Sequence, residues 1–201
     1  GTIAIILTSV IMSVVIGLPT GIAMSRSDRT QSIVTPILDI MQTMPPFVYL
    51  IPIVMLMGIG KIPGLIAVVI YAIPPLIRLT NLGIREVDKE ALEAADAFGA
   101  TKKQKLYQVQ LPLALPTIFA GINQTIMMAL AMVIIASMIG VKGLGQPVLQ
   151  SIYNQYFTKG VLYGLAIVIV AIVFDRVSQS YGQRIQKHRS CLLYTSDAAD
   201  E

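Results

Sequence analysis

Residues 88–112 read DKEALEAADAFGATKKQKLYQVQLP, a polar segment between two long apolar stretches. Within it stand Glu93-Ala94-Ala95, then Gly99, then Val109-Gln110-Leu111-Pro112. The spacing is E-A-A, three residues, glycine, nine residues, an aliphatic residue, one residue and Leu-Pro. The apolar stretches indicate only where the chain resides, whereas this polar segment indicates what the chain is coupled to.

The composition indicates a chain that lies largely in lipid. Of its 201 residues, 55% are hydrophobic and 13% are charged, and the mean hydropathy is +0.72. Average soluble domains carry about a quarter charged residues, and a soluble chain of this length could not bury so much apolar surface. Crossing a bilayer takes about 20 apolar residues. We therefore expect an all-α polytopic membrane protein with about five spans, at residues 2–24, 33–57, 62–79, 113–139 and 160–174.

Lysine and arginine are distributed unequally between the segments that join these spans. One side carries Arg26, Arg29, Arg85, Lys89, Lys102, Lys103, Lys105, Arg176, Arg184, Lys187 and Arg189, and the other carries Lys61, Lys142 and Lys159. Cytoplasmic loops carry the basic excess in membrane proteins. This predicts a multi-pass protein of a bacterial-type plasma (inner) membrane, with Gly1 outside and the polar segment and C-terminus in the cytoplasm. The net charge of +4 then needs no nucleic-acid partner.

The polar connection, about residues 80–112, predicts two short helices separated by a sharp turn. Asp88 is suited to cap the first helix, and Gly99 to end it, because glycine accepts the left-handed conformation found at helix C-termini. Thr101-Lys102-Lys103-Gln104 fits a capping box that opens the second helix. We expect Leu111-Pro112 to stop that helix before the fourth span begins.

The first short helix has an apolar face. It is formed at helical spacing by Ala91, Ala94, Ala95 and Phe98. The small alanines permit close approach of another helix or protein, and Phe98 is the large side chain that would insert into it. An apolar stripe on a polar loop usually needs a partner. The alternative is that it packs back on its own bundle, and periodicity does not choose between the two.

Polar residues inside the predicted spans are candidates for a pathway or for helix contacts. A charge at membrane depth is costly and faces protein or water, and Asp39 is the acidic residue well inside a span. It either lines a pathway or hydrogen-bonds a neighbouring helix, and polar side chains often join spans in this way. The same two interpretations apply to Gln42, Asn123 and Gln124.

Prolines and glycines in the spans predict breaks and close contacts. Pro45-Pro46, Pro52 and Pro74-Pro75 are candidate helix breaks, since proline removes a backbone donor and kinks helices. The two proline pairs either shape a pathway or let helices bend around their neighbours. Gly17 and Gly21, four residues apart, predict close helix packing or a dimer contact.

No pattern indicates catalysis or a bound cofactor. The chain has one cysteine, Cys191, and one histidine, His188, which excludes a cysteine-based metal site and a histidine cluster. Residues 140–143 do not match a phosphate-binding loop. We expect no catalytic residue, metal or cofactor on this chain, and we expect any energy source to reside on another polypeptide.

The E-A-A, glycine and aliphatic-x-Leu-Pro pattern resembles the signature of permease subunits of ATP-binding-cassette importers, and the resemblance covers about residues 2–184. It implies two coupling helices that dock into a separate ATPase subunit, which holds ATP and magnesium. It also implies a permease homodimer and an extracytoplasmic substrate-binding protein. The candidate coupling residues are Glu93, Ala94, Ala95, Phe98, Gly99, Leu111 and Pro112.

Other runs resemble the glycine betaine/proline betaine branch of that family. They are residues 43–52 (TMPPFVYLIP), 72–75 (AIPP), 78–85 (RLTNLGIR), 120–125 (AGINQT), 136–140 (ASMIG) and 143–145 (GLG). The implied cargo is a quaternary ammonium osmolyte. Choline, carnitine or another small solute is an alternative cargo. An ion-gradient-driven secondary transporter and a membrane scaffold are alternative functions.

Both ends of the sequence depart from that family. The chain starts without Met, and we expect its true start to lie upstream. After Arg189 the composition changes abruptly, so we expect a permease domain at residues 1–189 and a non-native tail at residues 190–201.

Overall fold

The structure is a computed structural model that describes residues 2–137, 143 and 145–197, with side chains except at 181 and 183–197. Within these ranges the chain is helical and contains no strand. The helices are α1 (Thr2–Arg26), α2 (Asp28–Thr43), α3 (Pro46–Met57), α4 (Lys61–Arg85), α5 (Lys89–Ala97), α6 (Lys102–Gln104), α7 (Leu111–Ala136), α8 (Gly145–Tyr153) and α9 (Phe157–Asp197), with a π-helical segment (Lys105–Gln110) between α6 and α7.

Helix α4 is the centre of the bundle and packs against both α1 and α7. Glycines bring these helices close together. A Cβ atom added at Gly21 would lie 2.6 Å from Cβ of Thr80, and one added at Gly83 would lie 2.8 Å from Cβ of Thr117. In lipid, helices associate through such packing because there is little hydrophobic driving force between them. The predicted packing role of Gly17 and Gly21 is confirmed, since Gly17 likewise lies against Leu76.

The largest buried cluster joins α1, α3, α4 and α7 through small side chains. Ala67 and Ala72 on α4 and Ala129 on α7 are fully buried, with Ile6 of α1 in the same cluster. Alanines here let the helix backbones approach closely, and the larger Ile6 and Leu50 fill the remaining space. The bundle therefore holds α4 rigidly from two sides.

The second predicted span is a bent pair of helices. Helices α2 and α3 meet at an angle of 96°, and Pro45 and Pro46 stand at the break, as cap and first residue of α3. The expected break at Pro52 was wrong, because α3 runs through this residue to Met57. The Tyr49 hydroxyl donates a hydrogen bond across the elbow to the Met41 carbonyl. The ring of Tyr49 also meets Tyr71 of α4 edge-on, with ring centroids 6.1 Å apart.

The second proline pair does not break its helix. Pro74 and Pro75 are buried inside α4, which runs without interruption from Lys61 to Arg85. Gly17 of α1 and Gly121 of α7 both lie against Leu76, the residue after this pair, and neighbouring helices allow proline to be tolerated within a span. The prediction of a break at this pair was wrong, and α4 extends past the predicted end of the third span to Arg85.

Leu111-Pro112 does not stop a helix either. The backbone continues from Lys102 to Ala136 as one helical run, and its π-helical segment ends where Leu111 N–H donates to the carbonyl of Leu106. Proline clashes with the carbonyl four residues earlier in a regular α-helix. The widened turn just before Pro112 relieves this clash, so the expectation of a helix end was wrong.

In the described ranges, four helical runs are long and apolar enough to cross a membrane, and the bent α2–α3 pair makes up to five. The four are Thr2–Arg26, Lys61–Arg85, Lys102–Ala136 and Phe157–Ser180. The predicted all-α fold is confirmed, and the count of about five holds when the bent pair is taken as one span. The fifth candidate span runs from Phe157 to Ser180 and so ends six residues beyond the predicted Phe174, within α9, which continues to Asp197. The predicted end of the fourth span at Ile139, and parts of the 136–140 and 143–145 runs, lie outside the described residues.

Candidate functional site

The loop between α4 and α7, residues 86–110, is well structured at its first helix. The Asp88 carboxylate accepts a hydrogen bond of 3.1 Å from the Glu90 backbone N–H and so caps α5. At the other end, Gly99 has φ of +74°. Its N–H donates to the Asp96 carbonyl, and the Ala100 N–H donates to the Ala95 carbonyl. These two bonds form a Schellman motif, in which glycine takes the left-handed position without penalty.

The second helix opens with the predicted capping box. The Thr101 N–H donates to Oε1 of Gln104 at 2.9 Å, and the Gln104 N–H donates to Oγ1 of Thr101 at 3.4 Å. Lys105 also forms an ion pair with Asp96 of α5. This pair, which sequence reasoning did not find, ties the two short helices together across the Gly99 turn.

The residues of α5 differ in how far they are exposed. Ala91 and Ala95 are half-buried, whereas Ala94 and Glu93 are exposed. Phe98 is 92% exposed, and no residue of α5 is buried. The alternative in which the whole apolar stripe packs back on the bundle therefore does not hold for Ala94 and Phe98, while Ala91 and Ala95 are partly covered. The loop presents an aromatic side chain with almost no intramolecular cover.

The remaining candidate loop residues lie on the far side of the turn. Leu111 and Pro112 are half-buried at the start of α7. Just before them, Leu106 is 1% exposed in a buried cluster with Ile84 and Ala114. The exposed α5 thus stands on a base that is packed into the bundle.

Arg85 fastens the start of the loop to the turn between α1 and α2. Its Nη2 donates to the Met24 carbonyl at 3.0 Å and to Oδ1 of Asp28 at 2.7 Å, and its Nε donates to Oδ1 of Asn81 at 3.2 Å. Sequence reasoning counted Arg85 only as a basic loop residue. Its position as the last residue of α4 was the available signal, since basic side chains at helix C-termini meet carbonyl groups.

A polar cluster lies between α1, α2 and α4. The guanidinium of Arg78 forms an ion pair with Asp39, the acidic residue singled out above. Beside the pair is a cavity of about 430 Å³ whose lining includes Arg78 and Gln42. Asp39 therefore makes a contact between helices, as one of its two interpretations predicted, and it does so at the edge of a cavity.

A second polar cluster lies between α7 and α9. Nδ2 of Asn123 donates to Oδ1 of Asp175 at 3.2 Å, and Nε2 of Gln179 donates to both carboxylate oxygens at 2.9 Å. Asn123 thus joins two helices, whereas its neighbour Gln124 is exposed. The four candidate membrane residues therefore do not form one site: Asp39 and Gln42 belong to the first cluster and Asn123 to the second.

Within the described ranges, no three His, Cys, Asp or Glu side chains are grouped as metal ligands. The features that combine polar chemistry with accessibility are the exposed α5 loop and the two clusters just described. They lie on a helical membrane bundle.

Residues 4–187 match the family of binding-protein-dependent transport system inner membrane components, and the chain belongs to that family. The glycine betaine/proline betaine transport system permease protein ProW of Salmonella typhimurium is 51% identical over 195 residues, which are 97% of this chain and 55% of that protein. The glycine betaine/carnitine transport permease protein GbuB of Listeria monocytogenes is 54% identical over 183 residues, which are 91% of this chain and 65% of that protein. The chain thus spans between half and two thirds of the length of these relatives.

The fold also resembles a solved transporter. Inward-facing structures of the MetNI methionine ABC transporter contain a chain with a TM-score of 0.82 and 23% identity, with 92% of each chain covered. This likeness concerns the arrangement of the helices.

Proposed function

We propose that this chain is the transmembrane subunit of an ATP-driven importer and lines the path of a glycine betaine- or proline betaine-like osmolyte. The observation that carries the proposal is the uncovered Phe98 on a rigidly capped helix, in a chain that belongs to the importer permease family. An exposed apolar side chain on a polar loop marks an interaction site.

The partner at this loop would be an ATPase subunit that carries ATP and magnesium. The loop would transmit the closing of the ATPases because α5 is braced by the Asp96–Lys105 ion pair and its base by Arg85. The proposed coupling residues are Glu93, Ala94, Ala95, Phe98, Gly99, Leu111 and Pro112.

The complete importer would contain two copies of this permease, two ATPases and an extracytoplasmic binding protein in a plasma membrane. The loop and the C-terminus would face the cytoplasm, in keeping with the basic residues at that end. The cargo assignment rests on relatives at 51–54% identity whose names specify glycine betaine.

Uptake into proteoliposomes tests this function. Permease, ATPase and binding protein are reconstituted, and radiolabelled glycine betaine is added with ATP or with a non-hydrolysable analogue. We expect glycine betaine to accumulate with ATP and not with the non-hydrolysable analogue. Accumulation driven by a sodium or proton gradient without ATP would instead establish a secondary transporter.

Carnitine is a second candidate cargo, because the name of the Listeria relative includes it. The same vesicles can be offered carnitine and choline. A higher kcat/KM for either one than for glycine betaine would change the cargo and leave the importer class intact.

A further inference from the structure

We propose that the cavity between α1, α2 and α4 is a binding site for a small zwitterion on its way through the permease, with Arg78 of the cavity wall holding the carboxylate and Asp39, the ion-pair partner of Arg78, attracting the cationic group from beside the wall. The inference rests on the proposed function and names one place on the chain where the cargo binds. It is carried by the position of an ion pair beside a cavity whose apolar wall carries several polar side chains.

The cavity is of a suitable size and composition for such a ligand. Its volume is about 430 Å³, within the range of roughly 300–1,000 Å³ typical of small-molecule sites. Apolar walls from Met24, Pro75 and Leu79 alternate with polar groups, which are Gln31, Thr35, Gln42, Arg78 and Asn81. A few polar groups on a largely apolar wall are the usual composition of a site that fixes the orientation of its ligand.

The position of the cavity makes its polarity significant. Arg78 lies seven residues before the last residue of α4, which places it roughly 10 Å from that helix end at 1.5 Å per residue. Ionisable residues within a membrane-spanning helix are expensive and face protein or a water-filled cavity. The ion pair with Asp39 cancels the net charge, but two charged groups still lose hydration there, a cost that a pair of apolar side chains would avoid.

Arg78 retains capacity to bind a ligand. Its Nη2 donates to Asp39, while its Nε is buried and has no hydrogen-bond partner among the described residues. The guanidinium group carries five N–H donors in a planar fork that matches a carboxylate. The Arg78 side chain as a whole is 36% exposed, so donors other than Nε are open to a ligand carboxylate.

Asp39 supplies the opposite charge on the next helix. Its side chain is 56% exposed and so is accessible beside the bond to Arg78. A net-neutral pair attracts a net-neutral ligand with separated charges more than it attracts a simple cation or anion, because each ligand charge finds its complement and none is left uncompensated. A zwitterionic osmolyte has this charge pattern, whereas choline lacks the carboxylate.

Thiol labelling at Gln42 tests whether the cavity holds cargo. Gln42 is exposed on the cavity wall, so Gln42→Cys should fold. The variant is made in a Cys191→Ser background, in complex with the ATPase in lipid nanodiscs, and is treated with a positively charged methanethiosulfonate reagent. The matched control is Ile40→Cys, which is exposed on the same helix and absent from the cavity wall.

We expect the Gln42→Cys variant to react, and glycine betaine at four times its dissociation constant to slow the reaction about fivefold, as single-site occupancy requires. Acetate and choline, each with one of the two charges, should protect less. Ile40→Cys should show no protection. A Gln42→Cys thiol that does not react, or one that reacts at the same rate with saturating glycine betaine, overturns the proposal.

Uptake measurements test whether the Arg78–Asp39 pair binds cargo or has only a structural role. Arg78→Gln removes charge-assisted hydrogen bonds worth about tenfold or more in binding, so uptake should fall by that factor while glycine betaine still binds the separate binding protein normally. The Gln42→Cys labelling is therefore repeated in an Arg78→Gln background. Glycine betaine that still protects the thiol there overturns the proposal, whereas lost protection agrees with a binding role for Arg78.

The two proposals fail separately. If wild-type vesicles accumulate glycine betaine with ATP but Gln42→Cys shows no protection, only the site is wrong. If wild-type vesicles take up no cargo with ATP, the importer function fails, while the labelling experiment still reports on the cavity.

Discussion

Arg85 and Asp28 form an ion pair of 2.7 Å that joins the last turn of α4 to the first turn of α2. The same guanidinium reaches the carbonyl of Met24 at the end of α1. Three helices therefore meet at one side chain, at the point where the proposed coupling loop departs. Arg85 thus connects the start of the loop directly to α1 and α2.

Replacing Arg85 by Ala should destabilise the bundle much more than replacing Asp28. Arg85→Ala removes three hydrogen bonds and leaves a carbonyl without its donor, a cost of about 1–3 kcal/mol. Asp28→Ala should cost less than about 1 kcal/mol, because Asp28 is 90% exposed and surface ion pairs contribute little. Thermal unfolding of the purified complex measures both, and equal losses of stability would show that the carbonyl bond contributes nothing.

Phe98→Ala should weaken ATPase binding without affecting the fold. Phe98 is 92% exposed, so its removal creates no cavity, and truncation of an aromatic anchor at an interface typically costs about 2 kcal/mol or more. We expect affinity for the ATPase to fall at least about tenfold, with unchanged thermal unfolding of the isolated permease.

Leu106→Ala is the control for Phe98, since it changes a residue of the same loop that is 1% exposed. It should cost about 2–5 kcal/mol of stability because it leaves a cavity in the loop base. If Phe98→Ala also lowered the unfolding temperature, Phe98 would have a structural role that its exposure does not indicate.

Gly99 offers a test that separates backbone strain from steric obstruction. Its φ is +74°, and a Cβ atom added there would meet nothing within 4 Å. Gly99→Ala should therefore cost roughly 1–2 kcal/mol through backbone strain alone. Gly99→Asn should cost less, because asparagine tolerates the left-handed region.

ATP-dependent uptake distinguishes what the partner requires at this turn. If the loop only needs its bend, Gly99→Asn should transport better than Gly99→Ala. If the ATPase approaches the backbone closely, both variants should lose uptake although both insert in the membrane. Full uptake by Gly99→Ala would count against coupling through this loop.

Gly21→Ala should disrupt the contact between α1 and α4. The added methyl would lie 2.6 Å from Cβ of Thr80 and 2.9 Å from the Ile77 carbonyl oxygen, and a backbone atom cannot move aside cheaply. We expect a loss of about 1–3 kcal/mol, as for other over-packed contacts. Gly164→Ala on α9 is the control, because a Cβ there meets nothing within 4 Å and alanine favours the helix. Thermal unfolding in detergent measures both variants. The midpoint temperature should be lower for Gly21→Ala and unchanged or higher for Gly164→Ala.

Local chemistry made several parts of the structure predictable. Asp88 caps α5, Gly99 ends it, and Thr101 and Gln104 form the capping box, all as expected, because each depends on residues only a few positions apart. The close contacts at Gly17 and Gly21 were predictable for a related reason, since a small residue repeated every four positions creates a groove on one helix face.

Proline was the residue type for which local rules gave mixed results. The rule that proline ends or breaks a helix holds at Pro45-Pro46 and fails at Pro74-Pro75 and at Pro112. The buried Pro74-Pro75 pair is held between α1 and α7, and a π-helical turn precedes Pro112. Neither circumstance is visible in the residues next to the proline.

The amino-acid sequence alone determined that the chain is a helical membrane protein with a capped two-helix loop, because apolar segment length and capping act over a few turns of chain. Only the tertiary structure decided that Phe98 points away from the bundle, that Arg85 joins three helices, and that Asp39 meets Arg78 beside a cavity. Those relationships link residues up to 61 positions apart, and they depend on the angles at which separate helices cross, which no short stretch of sequence specifies.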